Sequence, residues 1–243
     1  MKLKFSVITP FYNASKYINQ YIDHHLRDIN LCSQIEFIFI DDFSNDNSYN
    51  ILLSSINLNN YKIIRNNRNM GPGNSRVIGA KEATGEYLMF VDIDDKVNLK
   101  EKITYQYEAI VSKSREWSFT QFSINGKNQL PDDFEITELK QILRYRFIAL
   151  SSVMIKKSLF LVYSYWMCKY SFASEDYALW INLIIKRKWP AFVNNTTMIY
   201  NQSSTGLSAN KLKQAINVFL IYHRILGIKK GLINFIFYVL NKI

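Results

Sequence analysis

Short apolar runs that end directly at acidic residues constrain this chain more than any other feature. Residues 37–40 and residues 87–91 are continuously apolar and too short for amphipathic helices, so both predict buried strands. In an open α/β sheet, ligands bind outside the carboxyl ends of the strands, so two acidic strand ends in one sheet indicate a site. Either segment alone would also fit a solvated acidic turn. The acidic residues are Asp41 and Asp42 after the first run, and Asp92, Asp94 and Asp95 after the second.

The order of the predicted elements favours a mostly parallel sheet. Strand patterns alternate with segments whose apolar residues recur at helical spacing, and such repeats typically form parallel sheets with helices on both faces. Strands that are apolar throughout fit this arrangement because they are covered on both sides. We therefore expect an α/β fold with a mostly parallel central sheet flanked by helices. The predicted elements are strands at 5–9, 37–40, 61–64 and 87–91, and helices at 17–29, 44–56 and 76–83, with Asn13 to Ser15 as caps of the first helix.

After Asp95 the alternation of strands and helices becomes less regular. Residues 99–110 predict an amphipathic helix, and residues 117–124 alternate with period two, as in a half-buried strand. Asn125 and Gly126 form a typical hairpin pair. A further helix over 137–145 and a strand over 151–155 are predicted beyond an exposed loop.

Three carboxylates within four residues predict a bound cation. Asp92, Asp94 and Asp95 would raise one another's pKa values unless a positive charge compensates them. Mg²⁺ takes one or two carboxylates and completes its shell with water and substrate phosphate oxygens. A hard divalent metal is therefore the predicted partner of this cluster.

The net charge of +10 is distributed unevenly along the chain. Residues 206–243 contain six Lys and Arg residues and no Asp or Glu. The sequence has no recognition-helix or aromatic RNA-binding motif, so nucleic-acid binding is disfavoured despite the charge. Residues 232–240 are too short to span a membrane. They fit either a segment that lies among anionic lipid headgroups or a helix docked on the core, and both alternatives stay open.

Cysteine usage and the N-terminal pattern predict a cytosolic protein. Cys32 and Cys168 lie far apart and outside any Cys-rich pattern, which indicates free thiols in a reducing compartment. Lys2 and Lys4 are not followed by an apolar run long enough for a signal peptide. The three His residues show no zinc-ligand spacing.

Four stretches of the chain form a joint pattern: residues 6–13, residues 39–48, residues 71–85 with Arg76 and Gly79, and residues 91–95. Together they resemble family 2 glycosyltransferases, which have the GT-A nucleotide-sugar fold. The resemblance covers about the first hundred residues closely and the rest loosely, and the order and separation of the stretches match the family's nucleotide-binding half. Phe43 stands where the family usually has Gly, and Val77 stands where Asn is common. Neither departure removes a charged group.

The resemblance implies a nucleotide site at the acidic strand ends. In it, Asp92-Ile93-Asp94 looks like the family's Asp-any-Asp motif, with the first carboxylate near the ribose and the last on a Mg²⁺ or Mn²⁺ that bridges the diphosphate. Asp42 or Asp41 would accept hydrogen bonds from the base. For Arg76, a surface position on a helix is the alternative to a nucleotide contact. The residues implied beside the nucleotide are Pro10, Tyr12, Asp41, Asp42, Arg76, Asp92 and Ile93, with Asp94 as the metal ligand.

Residues 174–185 resemble the family's motif for the catalytic base. Ser174 can cap a helix, and Glu175 and Asp176 fall in its first turn, where the helix dipole favours negative charge. The two acids therefore also have a purely structural explanation. The resemblance implies instead that Asp176 is the general base that removes the proton of the acceptor hydroxyl. Trp180, one turn further on, is predicted to be a core residue.

Residues 200–208 resemble a loop in which the family often has an Arg. Asn201 stands at that position, so the segment is interpreted as a polar loop, with Ser204, Thr205 and Ser208 as alternative phosphate donors.

Taken together, the resemblance implies an inverting, metal-dependent glycosyltransferase of bacterial surface-polysaccharide synthesis (capsule, O-antigen or lipooligosaccharide). The donor would be a nucleotide-diphosphate sugar, with a UDP-sugar favoured, and the acceptor a glycan or a lipid-linked glycan. We expect a transferase domain over 1–205, with a nucleotide-binding half up to about residue 115 and an acceptor half over 116–205. The basic helical tail over 206–243 would contact the inner face of the plasma membrane. The alternative is a non-catalytic nucleotide-sugar or glycan-binding module on the same fold.

Overall fold

The computed structural model describes residues 4–26, 34–56, 59–144, 148–170, 174–199 and 211–240. Within these residues the chain forms an eight-stranded sheet accompanied by ten α-helices. The strands are β1 (Phe5–Phe11), β2 (Ile35–Asp41), β3 (Tyr61–Arg65), β4 (Tyr87–Phe90), β5 (Trp117–Ile124), β6 (Lys127–Asn128), β7 (Val153–Lys156) and β8 (Ala191–Ile199). The helices are α1 (Ser15–His25), α2 (Ser48–Ser55), α3 (Pro72–Glu82), α4 (Leu99–Ser112), α5 (Leu139–Arg144), α6 (Lys157–Tyr163), α7 (Tyr165–Lys169), α8 (Glu175–Ile185), α9 (Lys211–Leu226) and α10 (Ile228–Leu240).

The first four strands form the parallel half of the sheet, in the order β3-β2-β1-β4. This order brings the carboxyl ends of β1, β2 and β4 side by side, with Phe11 opposite Asp41. In the second half, β7 pairs antiparallel with both β4 and β5, β6 pairs antiparallel with β5, and β8 pairs parallel with β5. The predicted α/β fold is confirmed, although the sheet is parallel mainly in its first half.

Two hydrophobic cores cover the two faces of the sheet. Successive strand residues point to opposite faces, so Val7 joins one core and Ile8 the other. Helices α1, α2 and α4 contribute to the core on the Val7 side, and α3 together with α5–α10 contribute to the core on the Ile8 side. Coverage on both sides explains why the first strands are apolar throughout.

Strand β1 runs through Pro10 to Phe11, although the sequence predicts that Pro10 ends it. Pairing between β1 and β4 stops at Ile8 and Phe90, and the last bond on that side runs from the Val91 N–H to the Ile8 carbonyl. Because the nitrogen of Pro10 faces the same side as the backbone of Ile8, its missing N–H interrupts no ladder bond.

Strand β5 is buried on both faces, so the prediction of a half-buried strand is wrong. All residues from Trp117 to Ser123 are buried. The polar face lies under α4, where Gln106 Nε2 donates to Ser118 Oγ (3.1 Å) and to the Ser152 carbonyl (3.0 Å). The alternation of residues along β5 therefore distinguishes an apolar face from a polar face, and both faces are buried. It does not distinguish a core face from a face exposed to solvent.

Helix α1 takes its N-terminal caps from the segment that follows β2. Ala14, not a polar residue, occupies the N-cap position. Its N–H donates to Ser48 Oγ (2.7 Å), and the N–H of Ser15 donates to Asp46 Oδ2 (3.1 Å). The prediction that Asn13 to Ser15 cap α1 with their own side chains is wrong. The hydrogen bonds to Ser48 and Asp46 replace these caps and connect the segment after β1 to the segment after β2.

Helix α9 is part of the core, and α10 packs against α9 and α5. Val218, Ile221 and Tyr222 of α9 are fully buried. On α10, Gly231 and Tyr238 are buried, and most other side chains are exposed. In the described ranges, none of the helices combines the length and apolarity needed to cross a bilayer. The predicted polar loop over 200–208 lies outside the described residues, as do Cys32 and Lys242.

Candidate active site

The candidate site lies at the carboxyl ends of β1, β2 and β4. Tyr12 follows β1, Asp42 follows β2, and Asp92 lies just beyond β4. The N–H of Asp42 donates to the carbonyl of Phe11 (2.8 Å), which holds the first two strand ends together. The fold therefore brings the acidic strand ends to one edge of the sheet, as the sequence predicts.

A buried arginine joins this edge to helix α8. Arg76 lies on α3 and is only 4% exposed, which excludes the alternative of a surface arginine. One terminal nitrogen of its guanidinium lies 2.6 Å from Asp92 Oδ1, and the other lies 2.6 Å from Glu175 Oε1. Burial alone would lower the pKa of Arg76, but the charges of Asp92 and Glu175 hold it above its ordinary value. Arg76 therefore stays charged and bridges two carboxylates from distant parts of the chain.

Glu175 is a site residue that the sequence analysis did not assign. Helix-dipole stabilisation does not account for it, because its side chain pairs with Arg76. Burial raises the pKa of Glu175, against the lowering effect of the Arg76 charge. The side chain of Ser174, at the N-cap, caps nothing: its hydroxyl is buried without a hydrogen-bond partner.

Asp176 lies beside the Arg76 bridge. Its Oδ1 accepts a hydrogen bond from the N–H of Tyr177 (2.7 Å), and its charge raises the pKa values of both Arg76 and Glu175. Asp176 is partly exposed, whereas Glu175 is buried. The structure thus brings the start of α8 to the acidic strand end of β4, with Asp176 as the more accessible of the two acids.

Asp94 is partly buried and lies near the carboxylate of Asp92. Burial and the neighbouring charge of Asp92 raise its pKa, and the charges of Arg76 and Lys16 only partly oppose this. No group of three or more His, Cys, Asp or Glu side chains in the described part of the chain is arranged to hold a metal ion by itself. Mg²⁺ can also be bound by one or two carboxylates together with substrate phosphates, so a metal held by Asp94 beside Asp92 stays a prediction.

Asp41 and Asp42 hold the loops around the site. Asp42 Oδ1 accepts from Asn66 Nδ2 (2.7 Å) and the Met70 N–H (2.9 Å), and Asp42 Oδ2 accepts from the Gly71 N–H (2.7 Å). Asp42 thereby fixes the turn from which α3 and Arg76 begin. A carboxylate has about four acceptor sites, so a further bond from a base is compatible with these three. The contact of Asp42 with a base stays a prediction.

Asp41 is fully buried and contacts Ser44 and Arg65. Its Oδ1 accepts from the Ser44 N–H (2.9 Å), and its Oδ2 lies 3.1 Å from Arg65 Nε. Its partners explain its burial without any ligand, since a buried carboxylate needs both a counter-charge and hydrogen bonds.

A second layer of polar residues supports the loop of Asp92. The N–H of Asp92 donates to Ser151 Oγ (3.0 Å), and Lys102 Nζ donates to the Ser151 carbonyl (2.6 Å). Lys102 is fully buried on α4. Sequence reasoning missed both supports, because Lys102 falls in an otherwise ordinary amphipathic helix and Ser151 in a predicted strand.

Two exposed aromatic rings complete this edge. Tyr12 and Phe43 are 44% and 42% exposed, and each follows the carboxyl end of its strand. Pro10, within β1, and Ile93, between Asp92 and Asp94, lie at the same edge. The predicted nucleotide-binding residues therefore share one edge of the sheet, while their contact with a nucleotide stays a prediction. Trp180 is fully buried and stacks on Trp117 with ring centroids 5.0 Å apart, which confirms it as a core residue.

Comparison with known proteins identifies the family that this chain matches. The model of glycosyl transferase family 2 matches residues 6–171. An uncharacterised glycosyltransferase of Haemophilus influenzae is 28% identical over 245 residues, covering 97% of this chain and 95% of that protein. The Escherichia coli enzyme WfaP, named as a UDP-Glc:α-D-GlcNAc-diphosphoundecaprenol β-1,3-glucosyltransferase, is 27% identical over 219 residues, covering 87% of this chain and 82% of WfaP.

A solved structure shares the fold. Residues 1–349 of Staphylococcus aureus TarS, crystallised with UDP-GlcNAc, superimpose with a TM-score of 0.66 at 20% identity. The match covers 99% of this chain and 72% of that one. At this identity the likeness shows the GT-A architecture alone.

Proposed function

The chain belongs to glycosyltransferase family 2 and is a glycosyltransferase; from this premise we propose that it transfers a sugar, with inversion, from a nucleotide-diphosphate sugar to a glycan or lipid-linked acceptor. The proposed general base is Asp176. The observation that carries the proposal is the Arg76 bridge, because it ties the start of α8 to Asp92 at the acidic strand end.

The proposed reaction is a single displacement. The acceptor hydroxyl oxygen attacks the anomeric carbon, the bond from that carbon to the diphosphate oxygen breaks, and Asp176 takes the hydroxyl proton. The partial exposure of Asp176 supports this role, since a base must reach a bound acceptor. Glu175, buried and paired with Arg76, is less suited to it.

The proposed donor site consists of the residues at the ends of β1, β2 and β4. A UDP-sugar is the favoured donor, because WfaP is named for UDP-Glc and TarS was crystallised with UDP-GlcNAc. Asp94 would hold a Mg²⁺ or Mn²⁺, with Asp92 near the ribose. When bound, such an ion neutralises the charge that develops on the departing diphosphate. The residues proposed beside the nucleotide are Pro10, Tyr12, Asp41, Asp42, Arg76, Asp92 and Ile93.

The donor proposal is tested by the thermal stability of the protein with nucleotides. UDP with Mn²⁺ should raise the melting temperature more than UDP or Mn²⁺ alone, because ligands that bind only the folded state stabilise it. Asp94→Asn should remove the added effect of Mn²⁺ and leave the melting temperature of the free protein unchanged. An equal response of Asp94→Asn and the wild-type protein would contradict the metal assignment.

The base is tested by transfer or hydrolysis of radiolabelled UDP-sugars. Asp176→Asn should reduce turnover by roughly 10²- to 10⁴-fold, the usual contribution of a general base. Its affinity for UDP should stay unchanged. Asp133→Asn, at an exposed acid of the loop before α5, is the matched control and should keep full activity. A wild-type protein that binds UDP-sugars but turns over none of them would favour the non-catalytic binding module.

We further propose that the α9–α10 hairpin contacts an anionic membrane surface, which would bring the enzyme to the inner face of the plasma membrane and to lipid-linked acceptors. Leu232, Ile233, Ile236 and Phe237 of α10 are 41% to 55% exposed, on the side opposite the buried Gly231. Exposed apolar patches of this kind mark interaction surfaces. Residues 206–243 contain no acid, so pairing with a second copy would bring like charges together, whereas anionic headgroups would neutralise them.

Sedimentation with lipid vesicles tests this contact. Vesicles rich in phosphatidylglycerol should bind the protein, and vesicles of phosphatidylcholine alone should bind it far more weakly. Lys229→Glu with Lys230→Glu should weaken binding at least tenfold, since each basic residue near the surface contributes roughly 1 kcal/mol. Leu232→Ser with Ile236→Ser should weaken binding to both vesicle types. Dimer formation in solution without vesicle binding would assign the surface to a second copy instead.

A further inference from the structure

Phe43 has a backbone conformation that an aromatic residue rarely adopts. Its φ is +69°, in the left-handed region that favours glycine. In the described part of the chain, the other non-glycine residues with positive φ are Asn, Ser or Arg, and Phe43 has the largest φ among them. A glycine at this position would remove the strain, so the aromatic side chain has no conformational advantage here.

The surrounding hydrogen bonds prevent this strain from relaxing. Asp42, immediately before Phe43, is fixed by its N–H bond to the Phe11 carbonyl (2.8 Å). Ser44, immediately after it, donates its N–H to Asp41 Oδ1 (2.9 Å), and its carbonyl accepts from Arg65 (2.8 Å). Strained residues that are held in this way on both sides are concentrated at ligand-binding sites.

The ring of Phe43 contributes to neither hydrophobic core. It is 42% exposed and absent from the side chains that form or line the two cores. Tyr12 is similarly exposed, and the pairing of Phe11 with Asp41 makes Tyr12 the neighbour of Asp42, one residue from Phe43. Two uncovered aromatic residues therefore stand on adjacent strand ends, beside the carboxylate predicted to bind a base.

We propose that Phe43 stacks on the nucleobase of the donor and that Phe43 and Tyr12 together form an aromatic surface for the base. The inference rests on the proposed function, because it takes the nucleotide site as given. An aromatic ring binds the planar face of any base, whereas hydrogen bonds to the edge of the base distinguish one base from another. Phe43 thus contributes affinity for the nucleoside, and Asp42 contributes selectivity.

The test separates the ring from the backbone conformation. Phe43→Gly should leave the melting temperature unchanged or raise it, because glycine relieves the strain, yet it should weaken UDP binding by roughly tenfold, as expected from the loss of one stacked base contact. Phe43→Asn keeps a residue that tolerates positive φ and should weaken binding similarly. Phe43→Tyr retains an aromatic face and should keep wild-type affinity. Calorimetric titration with UDP and Mn²⁺ measures all three.

Turnover provides a second readout. For Phe43→Gly, the KM for the donor should rise while kcat stays within about twofold, since stacking is the same in ground and transition states. Tyr165→Ala, at an exposed aromatic on α7, controls for the general loss of an exposed ring. Unchanged UDP affinity of Phe43→Gly, with a wild-type protein that binds UDP, would overturn the inference alone. A wild-type protein without affinity for nucleotides would overturn it together with the proposed function.

Discussion

The buried side chain of Arg76 lies among three carboxylates. It pairs with Asp92 and Glu175 at 2.6 Å each and also lies within the field of Asp176. Removing a buried cation leaves the carboxylates without compensation, which is far more costly than losing a surface ion pair. The residue therefore couples the stability of the fold to the geometry of the site.

Arg76→Met should lower the free energy of unfolding by about 3–5 kcal/mol at pH 7. Urea denaturation measures the change. Arg68→Met, at an exposed arginine of the preceding loop, is the control and should stay within about 0.5 kcal/mol of the wild-type protein. Equal stability of the two variants would mean that the bridge carries no net stabilisation.

We expect Lys102 to make the stability of the protein depend on pH. Burial lowers its pKa from 10.5 to about 7, although the charge of Asp95 opposes the shift. Above pH 7 the unfolded chain therefore binds a proton that the folded protein does not, so the contribution of Lys102 to stability rises with pH from about 7 to 10. Below pH 7 Lys102 is charged in both the folded and the unfolded protein, so the folded protein bears the full free-energy cost of burying that charge.

Lys102→Met should flatten this dependence. Between pH 7 and 9 the free energy of unfolding of the wild-type protein should rise by up to about 1.4 kcal/mol per pH unit relative to the variant. Lys100→Met, at an exposed lysine of the same helix, should keep the wild-type slope. Loss of the bond to Ser151 shifts the variant by a constant amount, so the slope, and not the absolute stability, is the diagnostic quantity. Parallel curves for Lys102→Met and the wild-type protein would contradict the lowered pKa of Lys102.

At the scale of single residues, the sequence predicts site residues that lie at the end of a recognisable local pattern. Asp92 and Asp94 follow an apolar strand, and Asp176 lies in the first turn of a helix. The partnership of Arg76 with Glu175 could not be predicted, because 99 residues separate the two and neither carries a local signal of the other. Sequence reasoning accordingly assigned Glu175 to the helix dipole.

At the level of elements, two glycines fix how α3 and its following turn meet the sheet. A Cβ at Gly79 would lie 2.7 Å from side-chain atoms of Ile8 and Ile40. A Cβ at Gly85 would lie 2.8 Å from the backbone carbon of Phe5 and 2.5 Å from Ser6 Oγ. Side-chain ends can shift, whereas the backbone of a central strand cannot, so the two positions differ in tolerance.

Gly85→Ala should therefore destabilise the protein more than Gly79→Ala. We expect losses of about 3 kcal/mol and about 1 kcal/mol respectively, within the range for overpacked cores. Gly126→Ala, where the added Cβ meets no atom but φ is +75°, isolates the backbone cost of about 1 kcal/mol. Thermal and urea unfolding of the three variants gives the order, and a smaller loss for Gly85→Ala than for Gly79→Ala would contradict the packing argument.

Helices and strands were predicted well where the periodicity of apolar residues was strong. The pairing of the strands was not predicted. The hairpin at Asn125 and Gly126 has positive φ at both residues, as its turn chemistry requires. The two-sided burial of β5 depends on partners contributed by β7, β8 and α4, which no window around residues 117–124 contains. A local sequence pattern shows which residues of a strand could be buried. The elements that pair with or pack on the strand, which are distant in sequence, determine which of its residues are buried.

At the scale of the whole molecule, α9 ties the chain's end to the helix that carries the proposed base. The hydroxyl of Tyr222 lies 2.5 Å from that of Tyr177, which directly follows Asp176, and Tyr222 also donates to the Leu143 carbonyl. Val218 and Ile221 are fully buried in the same core. The predicted boundary near residue 205 thus separates the basic segment by composition, whereas α9 packs as part of the transferase core.

Two truncations distinguish the roles of α9 and α10. Removal of 228–243 takes away a helix whose buried residues are only Gly231 and Tyr238, so the shortened protein should fold, keep UDP binding and lose vesicle binding. Removal of 211–243 also exposes the core beneath three fully buried side chains, each contributing roughly 1.5–3 kcal/mol, a loss comparable to the whole stability margin of a domain. This second protein should fail to unfold cooperatively in thermal scans. A cooperative transition at the wild-type temperature after removal of 211–243 would show instead that residues 1–210 form a self-sufficient domain and that α9 is an appendage.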